Sequence, residues 1–142
     1  MKWKITPLKG NVAIKSVDGR YLKVTGDGLA FADQNYDPSA KFTVEIAGPN
    51  QTVLSGSNAK YVRIYESSNF DIRCDAMNNS DAVTLGTLYL ADGLINLTIT
   101  QQVSLSDRTI FLSSQAGTKS YGPSLRALDF EDVTCRFIVE YL

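Results

Sequence analysis

The sequence predicts an all-β domain made from one four-stranded unit used three times. Three observations predict it. Short runs rich in Val, Ile, Leu, Tyr, Phe and Thr are separated by turn residues at about the 8–12 residue spacing of sandwiches and barrels. No long helical period competes with them. The chain also resembles itself at a period of about forty residues.

Taken in order, the first unit (about 9–50) holds runs at Val12–Ser16 and Arg20–Val24, joined by the hairpin signal Asp18-Gly19. The turn Gly26-Asp27-Gly28 leads into Leu29–Asp33, and Lys41–Ala47 alternates so that Phe42, Val44 and Ile46 are expected to face a core. The second unit (about 51–92) repeats the order with Thr52–Gly56, the turn Ser57-Asn58-Ala59, Lys60–Tyr65, Phe70–Asp75 and Thr84–Leu90. After Asp92-Gly93 the third (about 93–142) holds Ile95–Gln102, Thr109–Ser114, Ser124–Asp129 and Thr134–Leu142.

The copies share landmarks. Tyr21 in Arg20-Tyr21-Leu22-Lys23 matches Tyr61 in Lys60-Tyr61-Val62-Arg63 and, more loosely, Phe111 in Ile110-Phe111-Leu112-Ser113. Asp37-Pro38-Ser39-Ala40-Lys41-Phe42 recurs as Asp132-Val133-Thr134-Cys135-Arg136-Phe137, with Asn79-Ser80-Asp81 opening the middle copy. In the two outer copies the Asp, Asp37 or Asp132, is expected to cap one helical turn that swings the chain into a last strand with a buried Phe. Three units of four strands is the arithmetic of a β-trefoil: six strands in a barrel and six in a hairpin triplet that caps it, an arrangement that leaves no free edge. One domain over 1–142 is the expectation.

Bulk chemistry narrows the functions. Fourteen basic residues face fifteen acidic ones for a net charge of −1, without the basic excess that nucleic-acid binding draws on. Met1-Lys2-Trp3-Lys4-Ile5-Thr6-Pro7 has no apolar leader core, and no stretch approaches the ~20 apolar residues of a span. No membrane insertion by this domain and a cytoplasmic or nucleocytoplasmic setting are therefore expected. There is no histidine, which removes the usual general base, the commonest metal ligand and every Ser-His or Cys-His nucleophile. Cys74 and Cys135 lie apart in strand-like runs and read as buried thiols, a disulfide between them being the other possibility. Sequons occur at Asn50, Asn78 and Asn96. A non-enzyme needing no cofactor or metal is the expectation.

A binding module remains, with glycans or glycoproteins as partners. Sugar sites pair an aromatic face with directed Asn, Asp, Ser or Glu hydrogen bonds, and the turn Tyr65-Glu66-Ser67-Ser68-Asn69-Phe70-Asp71 is the densest such cluster. Tyr65, Ser68, Asn69, Phe70 and Asp71 are its candidate contacts, against the alternative of a solvated hairpin turn with Phe70 in the core. Tyr121 in Lys119-Ser120-Tyr121-Gly122-Pro123-Ser124 is a further candidate. Asp33-Gln34-Asn35-Tyr36-Asp37 is set aside because Asp37 has a capping role. The competing class is a protein–protein module, actin-binding or protease-inhibiting, which co-sedimentation and a protease panel separate from a lectin.

Val12-Ala13-Ile14-Lys15-Ser16 followed by Gly19-Arg20-Tyr21-Leu22, then Asp37-Pro38 leading to Phe42-Thr43-Val44-Glu45, Asn58-Ala59-Lys60-Tyr61-Val62-Arg63 and the closing Phe137-Ile138-Val139-Glu140 resemble the amaranthin-type agglutinin domain of plant lectins over nearly the whole chain. Fascin-type actin-bundling repeats show a similar hairpin. The resemblance implies a β-trefoil that binds galactose or N-acetylgalactosamine glycans without metal, in plant defence, at a site between subunits. A homodimer follows from that implication. Of the family's Asn-His-Tyr-Trp run, Asn69 and the ring of Phe70 have counterparts here, while His and Trp do not.

Overall fold

The computed structural model describes residues 10–26, 28–32, 34–49, 51–65, 71–90, 93–103, 106–114, 126–128 and 131–142, with backbone alone at 65, 71, 100–103, 106–108 and 126–128. Within the first repeat lie β1 (Gly10–Ser16), β2 (Leu22–Thr25), β3 (Gly28–Phe31) and β4 (Phe42–Gly48). The second holds β5 (Gln51–Ser55), β6 (Tyr61–Tyr65), β7 (Asp71–Ala76) and β8 (Gly86–Tyr89). The third holds β9 (Ile95–Val103), β10 (Ser106–Ser113), β11 (Arg126–Leu128) and β12 (Phe137–Tyr141). The predicted strands are all present, each within a few residues of its expected limits.

The first and last strands of each repeat make the barrel. A continuous antiparallel ladder runs β5–β4–β1–β12–β9–β8. Between β5 and β8 the contact is one bridge, Thr52↔Leu85, with N–H···O bonds of 2.9 and 2.7 Å in place of a ladder. The middle strands pair as the hairpins β2–β3, β6–β7 and β10–β11.

Register makes the repeats exact partners of one another. Val12↔Phe42, Thr52↔Leu85 and Ile95↔Phe137 are the corresponding barrel pairs. Lys15↔Tyr21, Ser55↔Tyr61 and Thr98↔Phe111 tie each second strand to the first. Phe42, Leu85 and Phe137 are buried together with Ile14, Leu54 and Leu97, so each repeat sends equivalent apolar side chains into one core.

Local rules set the turns as expected. Asp37 accepts from Ser39 N at 2.8 Å and Asp132 from Thr134 N at 2.8 Å, capping the 3-10 turns Pro38–Ala40 and Val133–Cys135. The last strand consequently starts at Phe137, later than the expected Thr134. In the first two repeats one turn recurs: Gly19 N donates to Ser16 O at 2.9 Å and Ala59 N to Gly56 O at 3.0 Å, with φ of +89° and +62°. That backbone suits glycine, and Ala59 occupies it at a steric cost.

One expectation fails. Phe42 and Val44 face the core, but Ile46 is 63 % exposed. The register of β4 against β5 shifts between Ile46 and Gly48, and such a bulge turns the strand end away from the interior. Cys74 and Cys135 are buried and unlinked, and no helix among the described residues is long and apolar enough to cross a membrane.

Candidate functional site

Ser68, Asn69, Phe70 and Tyr121 lie outside the described residues. Tyr65 and Asp71 face each other as the pair at the ends of β6 and β7, so the backbone brings those two together. Asp33 of the segment set aside also lies outside the described residues, whereas Tyr36 and Asp37 lie within them.

Among the described residues, polar and aromatic groups converge where one repeat meets the next. Tyr21, on the approach to β2, donates its hydroxyl to Glu140 Oε1 of β12. Tyr61 of β6 makes the same bond to Glu45 of β4. Glu45 and Glu140 each stand three residues after the barrel Phe, on the preceding repeat's last strand. Hydrogen bonding to the carboxylate pushes both phenols above their ordinary range, since losing the proton would end the bond and place two negative charges together.

The third-to-first junction carries more. Lys15 Nζ lies 3.7 Å from Glu140 Oε1 and 5.5 Å from the centre of the Tyr21 ring. The Tyr36 ring meets Tyr21 edge-on, with centroids 5.8 Å apart and planes at 71°, and is 43 % exposed. Its position is fixed by its neighbour: Asp37 caps the following turn and accepts from Lys23 Nζ at 2.7 Å. The result is a part-exposed aromatic ring packed on Tyr21, which in turn holds the Glu140 carboxylate and lies under the Lys15 ammonium.

The same anchoring is pH-sensitive. The Lys23 hydrogen bond, then those from Ser39, hold the Asp37 carboxyl down to about 2 from an ordinary 3.8. A depressed folded value stabilises the fold above the unfolded value, and that contribution fades as acid approaches the folded value. Asp37→Asn is expected to lower the thermal midpoint at neutral pH, with the gap to wild type closing between about pH 4 and about pH 2. Thermal scans across that range check it; a gap that persists in acid counts against the carboxylate.

The second-to-third junction differs. Phe111 replaces the tyrosine and Leu88, three residues after Leu85, replaces the glutamate, so hydroxyl and carboxylate are lost together. Here an open groove of about 380 Å³ runs along the barrel flank. Gly86 and Leu88 of β8, Thr98 of β9 and Thr109 of β10 form one side, with Thr84 before β8. Pro49 and Gln51 form the other, where β5 and β8 share only their bridge.

Among the described residues no three His, Cys, Asp or Glu side chains group as metal ligands do. Burial pushes the Cys135 thiol up, away from the thiolate a nucleophile needs. Sequence reading missed Tyr36 with Glu140, and one signal was available: Tyr21 and Tyr61 recur at the repeat spacing, as do Glu45 and Glu140.

No family model matches this sequence, and no curated protein matches it. Solved structures do. The designed three-fold symmetric protein ThreeFoil superposes with a TM-score of 0.72 at 12 % identity, covering 94 % of this chain and 99 % of its own. The GlcNAcα1-4Gal releasing endo-β-galactosidase from Clostridium perfringens superposes with a TM-score of 0.71 at 16 % identity, covering 95 % of this chain. This chain spans 33 % of that enzyme's length. At such identities the likeness is one of fold. Repeat register, barrel, hairpins and likeness to the three-fold design together establish that the chain is a β-trefoil.

Proposed function

We propose that this chain is a carbohydrate-binding protein that takes galactose- or N-acetylgalactosamine-containing glycans, without a metal ion and without transforming them. The observation that carries the reading is the part-exposed Tyr36 ring, braced by Tyr21, which itself contacts Glu140 and Lys15. A sugar's C–H patch covers such a ring, while its hydroxyls donate to the carboxylate and accept from the ammonium. The lack of histidine in the sequence favours binding over reaction. The amaranthin-type resemblance and the galactoside chemistry of the structurally similar clostridial enzyme favour galactose-type ligands. The hairpin turn of Tyr65, Ser68, Asn69, Phe70 and Asp71, with Tyr121, is the alternative location, and a homodimer is part of that alternative.

Titration with galactose and N-acetylgalactosamine tests the proposal. Tyr36→Ala is expected to weaken binding about two- to tenfold, the worth of one ring contact at about 0.5–1.5 kcal/mol. Because the ring is part-exposed, the thermal midpoint is expected to move little. Asn69→Ala is expected to bind as wild type does; a loss there instead moves the site to the hairpin turn. A glycan array with no galactoside above background ends the proposal.

A further inference from the structure

We infer that the groove at the second-to-third repeat junction, where the tyrosine–glutamate pair of the other junctions is absent, is a separate binding site for an uncharged saccharide. The inference rests on the carbohydrate-binding reading above but on different residues.

Two junctions of this barrel are closed by a tyrosine hydroxyl bonded to a glutamate from the preceding repeat, Tyr21 to Glu140 and Tyr61 to Glu45. Losing one partner alone would leave the other's polar group unmatched. In the third junction both are exchanged for apolar residues, Phe111 and Leu88, which keeps the junction self-consistent and removes the bond across it. What stands there is the groove of about 380 Å³, within the range of small-ligand sites.

Its chemistry is specific. Thr84, Thr98 and Thr109 bring hydroxyls and Gln51 a carboxamide, each able both to donate and to accept. Among the described residues, no lining side chain is charged. Leu88 is 44 % exposed, a large apolar side chain at a position where the other repeats place a carboxylate. With Pro49 it supplies an apolar wall for the C–H face of a ring, while the hydroxyls and amide match the ring's alcohols. A phosphate or carboxylate ligand finds no cation among the described lining residues, and a neutral sugar is the class that fits them.

The experiment is an amide-resolved NMR titration of the whole chain with galactose and, separately, N-acetylgalactosamine. Shifts at Thr84, Gly86 and Thr98, titrating independently of those at Lys15 and Tyr36, are the expected result. The double variant Leu88→Glu/Phe111→Tyr rebuilds the pair seen at the other junctions and is expected to raise the groove's Kd at least tenfold, leaving the Tyr36 response unchanged. Thr84→Arg, at an exposed position, fills the groove without touching the core and gives the same readout if the double variant folds poorly. Shifts at Tyr36 without shifts in the groove overturn this inference and leave the carbohydrate reading standing. A groove response that survives both variants also overturns it, and no response at either place overturns both.

Discussion

Phe137→Ala is expected to lower the free energy of unfolding by about 3–5 kcal/mol, the cost of deleting a buried ring and leaving a cavity. Phe137 is 0 % exposed and opens β12. It forms the Phe137↔Ile95 pair that joins β12 to β9, and its ring stacks on Phe31 with centroids 5.8 Å apart and planes within 5°. Truncation therefore removes a contact between first and third repeats as well as the area under its own strand. Against a typical total of about 5–15 kcal/mol, the loss is a large part of the stability. Phe137→Leu, which copies Leu85 at the matching position of the second repeat, is expected to cost less. Urea unfolding reads both: the midpoint falls while the slope stays constant. A cost under about 1 kcal/mol for the alanine variant excludes the packing role.

Asn96→Asp is expected to cost about 3–5 kcal/mol at neutral pH, the penalty of a buried charge without a partner. Asn96 is 2 % exposed, and its amide nitrogen donates to Cys135 O at 2.9 Å and to Glu131 Oε2 at 3.3 Å. The carboxylate cannot donate, and it faces Glu131, whose own carboxyl the Arg136 guanidinium holds below its usual range and so charged. Burial and this neighbour raise the folded value of the new acid above its unfolded ~3.9. Protonation then favours the fold, so the deficit relative to wild type shrinks as pH falls and is least below the unfolded value. Denaturation series at several pH values check this; a pH-independent deficit points to lost geometry alone. The same burial keeps the Asn96 sequon out of reach of a glycan in the folded chain.

Phe137 acts where two repeats meet, through its stack on Phe31, and there the sequence is least informative. Asp37 and Asp132 announce their caps because a cap bonds to an amide two residues on. Asp18-Gly19 announces its turn because positive φ is a property of the residue itself. Ile46 misled: its alternation is correct, but the bulge beside it turns the strand end outward. Tyr36 was set aside on account of Asp37, although the cap on Asp37 is what steadies the ring.

The sequence by itself determined the class of fold, the three units, the twelve strands and the two Asp-capped turns, because alternation, turn and cap rules act over a handful of residues. Tertiary structure decided which side chains meet. Tyr21 finds Glu140 across 119 residues only because the pairing of β1 with β12 brings one repeat's last strand against the next repeat's first. Contacts between units depend on ladder register, and a two-residue slip in a strand moves every partner without changing which residues alternate inward.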